Sequence, residues 1–158
     1  MKKLQTHLLC CLILLLFSCS EDFLLQKEHV GKVSVKELFK LRKNWVAKKD
    51  HFKFSGEIEW KPEYSVRAYI GTWCHDSKRE IPRLMKVLES SGIPEDSIEI
   101  YLVSKNKKMP EKEILSDRIF YTPTILILKH GKEVERFVEH PFSSWVNDLN
   151  KVLGQEEE

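Results

Sequence analysis

Residues 73–79 read Trp73, Cys74, His75, Asp76, Ser77, Lys78 and Arg79. They follow a short apolar run, Val66 to Ile70, that ends at Gly71, and they open a stretch with helical periodicity. Cys74 therefore falls at a strand-to-helix turn. A cysteine at a helix N-terminus faces unpaired backbone donors and the positive end of the helix dipole. Both favour the thiolate, which is the nucleophile in thiol chemistry. Lys78 and Arg79 add positive charge, whereas Asp76 opposes a second negative charge beside it. His75 supports the thiolate when protonated or shuttles a proton. The alternative reading of His75 and Asp76 is a polar helix cap. Ser77 stands where many redox proteins carry a second cysteine. It can donate a hydrogen bond to the Cys74 sulfur, but it cannot attack a disulfide.

The other cysteines lie near the start of the chain. Lys2 and Lys3 precede a ten-residue apolar run, Leu8 to Phe17, with Ser18 and Cys19 behind it. This order describes a signal peptide over residues 1–18, and the run is too short for a membrane helix of ~20 residues. Leu16-Phe17-Ser18-Cys19 resembles the lipobox of bacterial lipoproteins, whose cysteine is acylated and becomes the first mature residue. The alternative is an ordinary signal peptide with an incidental cysteine. Ser20-Glu21-Asp22 resembles the acidic surface-export signals of some Bacteroidota lipoproteins, or is simply an acidic tether. With Cys10 and Cys11 removed and Cys19 acylated, Cys74 is the only free thiol expected, so no internal disulfide can form. The 26 basic residues include Lys2 and Lys3, so cleavage leaves basic and acidic residues equal in number. That balance gives no reason to expect nucleic-acid binding. Six scattered histidines show no zinc spacing, so neither a metal site nor a cofactor is expected.

A chain of 158 residues suggests one folded domain, here expected over 34–158 behind a tether at 19–33. Ser34 and Glu37 form a capping box. Val35, Leu38, Leu41, Trp45 and Val46 then give one helix fading near Asp50. Phe52, Phe54, Ile58 and Trp60 alternate with polar residues and admit a short or edge strand. The helix after Cys74 runs to Ser90 with Ile81, Leu84, Met85 and Leu88 on one face. Pro82 should kink it. Ile98 to Val103 is a strand, 104–110 a basic loop and 111–116 a short helix. Ile125–Leu128 and Val134–Val138 make a hairpin about Lys129-His130-Gly131-Lys132. Phe142, Trp145, Val146, Leu149, Val152 and Leu153 line a last helix. This order describes an α/β fold, a mixed sheet with helices on both faces.

Three local features resemble the thioredoxin family. Trp73-Cys74 with Ser77 is similar to W-C-x-x-C with its last position changed. Pro82 and Lys78 match a helix proline and lysine common there. Thr122-Pro123-Thr124 through Gly131 is close to the family's cis-proline strand and hairpin. The form W-C-x-D-S-K-R-E-x-P-R is also similar to a group of Bacteroidota thioredoxin-family proteins. The resemblance covers about residues 34–153 and implies a three-layer thioredoxin-like fold. It also implies a cis bond before Pro123, an extended substrate paired with the Thr122 backbone, and Trp73 bordering the groove. The family's buried aspartate, six positions before the nucleophile, is replaced by Ala68.

Without a second cysteine and that buried acid, a standard dithiol reductase is not expected. The first functional reading is a monothiol thiol–disulfide exchange protein acting through Cys74 and mixed disulfides. Its partners are cysteine-containing proteins or peptides and an external thiol or redox partner. It would be exported and lipid-anchored to a bacterial membrane, facing the periplasm or cell surface. The second reading is a non-redox peptide-binding module with a degenerate site. An iron–sulfur role like that of monothiol glutaredoxins fits poorly. Their motif is C-G-F-S, and Cys-His-Asp-Ser lacks the glycine.

Overall fold

The structure, a computed structural model, describes residues 29–107 and 117–154. The signal peptide, Cys19 and the short helix expected at 111–116 lie outside the described residues. Five strands form one mixed sheet in the order β1-β3-β2-β4-β5. The strands are β1 Gly31–Val33, β2 Tyr64–Ile70, β3 Ile98–Leu102, β4 Thr124–Lys129 and β5 Lys132–Val138. β2 and β3 are parallel, and every other pairing is antiparallel. The helices are α1 Val35–Leu41, α2 Lys43–His51, α3 His75–Ser90 and α4 Trp145–Leu153. This is an α/β arrangement, and where helices were expected on both faces of the sheet, the four described ones all pack into the core on one face.

The larger core lies on the sheet face of Val66, Ala68, Ile70, Ile100, Leu102, Ile125 and Ile127. Leu38 of α1, Trp45 of α2, Ile81, Leu84 and Leu88 of α3, and Leu149 of α4 pack into it. The opposite face carries a second cluster of Tyr69, Tyr101, Val103, Ile119, Leu126 and Leu128. The β4 residues thus alternate between the two cores, which explains an almost wholly apolar strand.

Four further expectations change. The tether does not extend to 33, because Gly31–Val33 pair with β3 as an edge strand; three residues are too few to show a period. The single helix from Ser34 is two. The capping box forms, with Glu37 N donating to Ser34 Oγ at 3.2 Å and Ser34 N to Glu37 Oε2 at 2.8 Å. Arg42 then leaves helical geometry at φ −124°, ψ 63°. The break resets the phase, so Trp45 is buried and Val46 is exposed. Residues 52–60 form no strand. Phe52, Phe54, Ile58 and Trp60 do turn toward the core, but a strand needs a partner backbone, and among the described residues none pairs with them. Phe142 precedes α4, whose N-cap is Ser144. It is 75 % exposed, with its ring 5.6 Å from that of Phe137.

α3 runs its 16 residues across Pro82. The β4–β5 hairpin turns on His130 and Gly131, both at positive φ (50° and 78°). Two such residues suit a two-residue turn that follows strand twist, and glycine takes the second place without strain.

A polar network ties β1 to the sheet. Glu99 of β3 accepts from Lys32 Nζ at 2.6 Å and from Arg67 Nε at 2.8 Å. Arg67 Nη1 also donates to Asp117 Oδ2 at 3.2 Å, and the Tyr69 hydroxyl donates to the same oxygen. Burial, then the Asp117 hydrogen bond, push the Tyr69 hydroxyl well above its ordinary range. Burial also pushes the Glu99 carboxyl up, but Lys32 and Arg67 together outweigh it and hold the group below its ordinary 4.5. A carboxyl depressed on folding adds stability above its unfolded value and loses it as pH falls through the folded one. Urea denaturation from neutral pH to below 4.5 should therefore show an acid loss of stability that Glu99→Gln reduces. An identical acid limb in the variant would contradict this assignment.

Candidate active site

β2 ends at Ile70, and four residues later Cys74 is the N-cap of α3, with φ −77° and ψ 135°. The Cys74 amide donates to the Gly71 carbonyl at 2.9 Å, and its own carbonyl accepts from Lys78 N at 3.1 Å. The sulfur sits half-buried at the mouth of the helix. Across the sheet, β2 pairs with β4 in a register that sets Tyr69 opposite Thr124. That register brings the loop before β4 over the α3 N-terminus. The Thr122–Pro123 peptide bond is cis, and Cys74 Sγ donates to the Thr122 carbonyl at 3.0 Å. Beyond β5, the Glu139 amide donates to the Pro123 carbonyl at 2.7 Å and holds the loop from the other side.

Ser77 makes no hydrogen bond to the sulfur. It is fully buried, and its Oγ accepts from the Gly71 amide at 3.2 Å. The hydroxyl fastens the end of β2 to the first turn of α3, which corrects the expectation of a bond to Cys74. Trp73 packs beside this turn, with its indole Nε1 donating to the Val103 carbonyl at 3.0 Å. Lys107 Nζ lies 5.8 Å from the Trp73 ring centre, a cation–π distance. His75 is 84 % exposed and its Nδ1 is 3.8 Å from Asp76 Oδ1. Asp76 meets Arg79 Nη1 at 2.8 Å. Lys78 projects into solvent.

The chain was compared with known proteins. No protein-family model and no curated protein matches it. Several solved thioredoxins are similar to it. Thioredoxin from Aeropyrum pernix shares 16 % identity over 82 % of this chain and 95 % of its own, with a TM-score of 0.42. Thioredoxin-2, a component of the malaria parasite's protein secretion machinery, shares 21 % over 65 % of this chain and 97 % of its own, at 0.43. Fasciola hepatica thioredoxin shares 19 % over 65 % and 79 %, at 0.37.

Two residues at the site escape a linear reading. A Cβ at Gly71 would lie 2.7 Å from Trp73 Cε2 and 2.8 Å from Cζ2. Gly71 is therefore the seat of the indole as well as the end of a strand. Glu80 is 3 % exposed, with a carboxylate that accepts from Arg79 Nε at 2.6 Å, Arg83 Nη1 at 3.1 Å and Trp145 Nε1 at 3.2 Å. Its position three residues after buried Ser77 and four before Leu84 marks the inward helix face, so the periodicity carried that signal. Among the described residues, no group of three His, Cys, Asp or Glu side chains converges as metal ligands.

Gly71→Ala should force the indole off the Val103 carbonyl and cost about 1–3 kcal/mol through overpacking. Denaturation, together with the Trp73 indole N–H resonance, measures both effects. An unmoved resonance at unchanged stability would sink the assignment.

Proposed function

We propose that this protein exchanges thiols and disulfides through the single sulfur of Cys74. The observation that carries the reading is the meeting of Cys74 Sγ, at the N-terminus of α3, with the Thr122 carbonyl beside cis-Pro123. Before reaction, that carbonyl accepts a hydrogen bond from the thiol. On ionisation the proton passes to solvent, the thiolate gains the helix N-terminus as its counter-dipole and the Thr122 carbonyl loses its donor. A substrate backbone amide can then take that place, as strand-addition recognition requires.

The thiolate attacks one sulfur of a substrate disulfide. The substrate S–S bond breaks, a Cys74–substrate S–S bond forms, and the departing thiolate takes up a proton. Ser77 has no sulfur to resolve this adduct. Release therefore comes from a second substrate thiol attacking the substrate sulfur, which forms a new substrate disulfide and completes isomerisation, or from an external thiol attacking the Cys74 sulfur, which frees the reduced substrate and leaves Cys74 in a disulfide that a second thiol equivalent reduces. Signal-like residues 1–18 and the lipobox-like Cys19 support an exported protein held at a bacterial membrane by acyl chains. Such chains contribute ~0.8 kcal/mol per buried methylene. In this reading the substrates are exported cysteine-containing proteins or peptides.

Acid quenching and thiol blocking of cells, followed by non-reducing capture, should recover disulfide-linked partners with wild type and none with Cys74→Ala. Equal non-covalent recovery with both, and no covalent adduct with either, would replace exchange by peptide binding. Ser77→Cys should shorten the life of the adducts by supplying an internal resolving thiol, read as their disappearance from the same gel. Adducts of unchanged lifetime would mean that this position cannot reach the mixed disulfide.

A further inference from the structure

Asp76 is the one carboxylate in the first turn of α3, two residues from Cys74, and left alone it would disfavour a thiolate there. The structure does not leave it alone. Arg79 Nη1 lies 2.8 Å from Asp76 Oδ1, while the same guanidinium donates through Nε to Glu80 Oε1 at 2.6 Å. Glu80 is itself fixed from two directions. Arg83, one turn along α3, reaches Oε1, and Trp145 at the start of α4 donates its indole N–H to Oε2. A buried carboxylate thus anchors an arginine that reaches back up the helix to the active-site turn. The Glu80 hydrogen bond raises the Arg79 pKa further, and an arginine is charged at any working pH.

We infer that Arg79 and Glu80 are positioning residues for the Cys74 thiol: Glu80 holds Arg79 where it cancels the field of Asp76 at the sulfur. The buried carboxylate does not touch the reacting atoms and acts only through Arg79 and Asp76. Ordinary helix pairing accounts for an Asp–Arg contact three residues apart. It does not account for a 3 % exposed acid bound to two arginines and a tryptophan from another helix. The other charged groups at this turn, His75 and Lys78, are exposed. Lys107 is turned to the Trp73 ring.

This inference rests on Cys74 being the reacting thiol, and its test uses a readout separate from disulfide exchange. The alkylation rate of Cys74 by iodoacetamide at fixed neutral pH follows the thiolate fraction. Arg79→Met should slow it about three- to tenfold, the scale of one nearby charge. Adding Asp76→Asn to Arg79→Met should bring the rate back to within about twofold of wild type, because the two opposing charges are then both gone. Glu80→Gln should slow alkylation less than Arg79→Met does, because the arginine is loosened but not lost, and Arg79→Lys should retain most of the rate. High salt should accelerate the Arg79→Met variant toward wild type by screening Asp76. Wild-type alkylation in Arg79→Met would overturn the inference, as would a double variant, Arg79→Met with Asp76→Asn, that stays as slow as Arg79→Met alone. Loss of covalent partners with this alkylation pattern intact would sink disulfide exchange alone.

Discussion

The contact between Cys74 Sγ and the Thr122 carbonyl joins residues 48 apart in sequence, and the rest of the fold can be understood from what holds them together. β2 must end where α3 begins, and β4 must begin beside it. The antiparallel register from Tyr64–Lys129 to Tyr69–Thr124 sets both. Because side chains alternate along a strand, a slip of one residue would exchange Ile125 and Ile127 with Leu126 and Leu128 between the two cores. Burial of both faces therefore locks the register, and the register locks the sulfur against the carbonyl.

The turn from Gly71 to Ser77 has little freedom once that frame exists. Gly71 admits the Trp73 ring, the Val103 carbonyl accepts from the indole N–H, and buried Ser77 accepts from the Gly71 amide. A cysteine at position 77 was never needed to close this turn, since a hydroxyl serves. The turn presents one sulfur at a helix N-terminus, and under the proposed exchange the serine at position 77 bears only on how a mixed disulfide is resolved. Below the turn, Glu80 joins α3 to α4 through Trp145, so the helix that carries Cys74 is braced by the last helix of the chain.

Some of the fold was legible locally. The Ser34–Glu37 capping box, the His130-Gly131 turn and the apolar face of α3 each follow from a few neighbouring residues, and each forms as their chemistry demands. The failures occur where a partner or a backbone break decides. The alternation of Phe52, Phe54, Ile58 and Trp60 reported burial faithfully, yet burial does not make a strand without a neighbouring backbone. Val46 followed the helical period of α1 until Arg42 broke it. Gly31–Val33 are a strand only because β3 offers an edge, and Lys32 reaches Glu99 there.

By itself, the sequence determined that one thiol, Cys74, would stand at a strand-to-helix turn, followed by a serine that cannot resolve a disulfide. It also determined that Thr122-Pro123 would open a strand leading to a tight hairpin. These are properties of short segments, set by residue type and spacing. Only the tertiary structure decided that Ser77 accepts from the Gly71 amide, that the Thr122 carbonyl accepts from the thiol, and that Asp76 is answered by an arginine held on a buried glutamate. Each is a choice of hydrogen-bond partner. A polar group takes the partner that folding brings within about 3 Å, and for Thr122 and Trp145 that partner comes from a distant part of the chain.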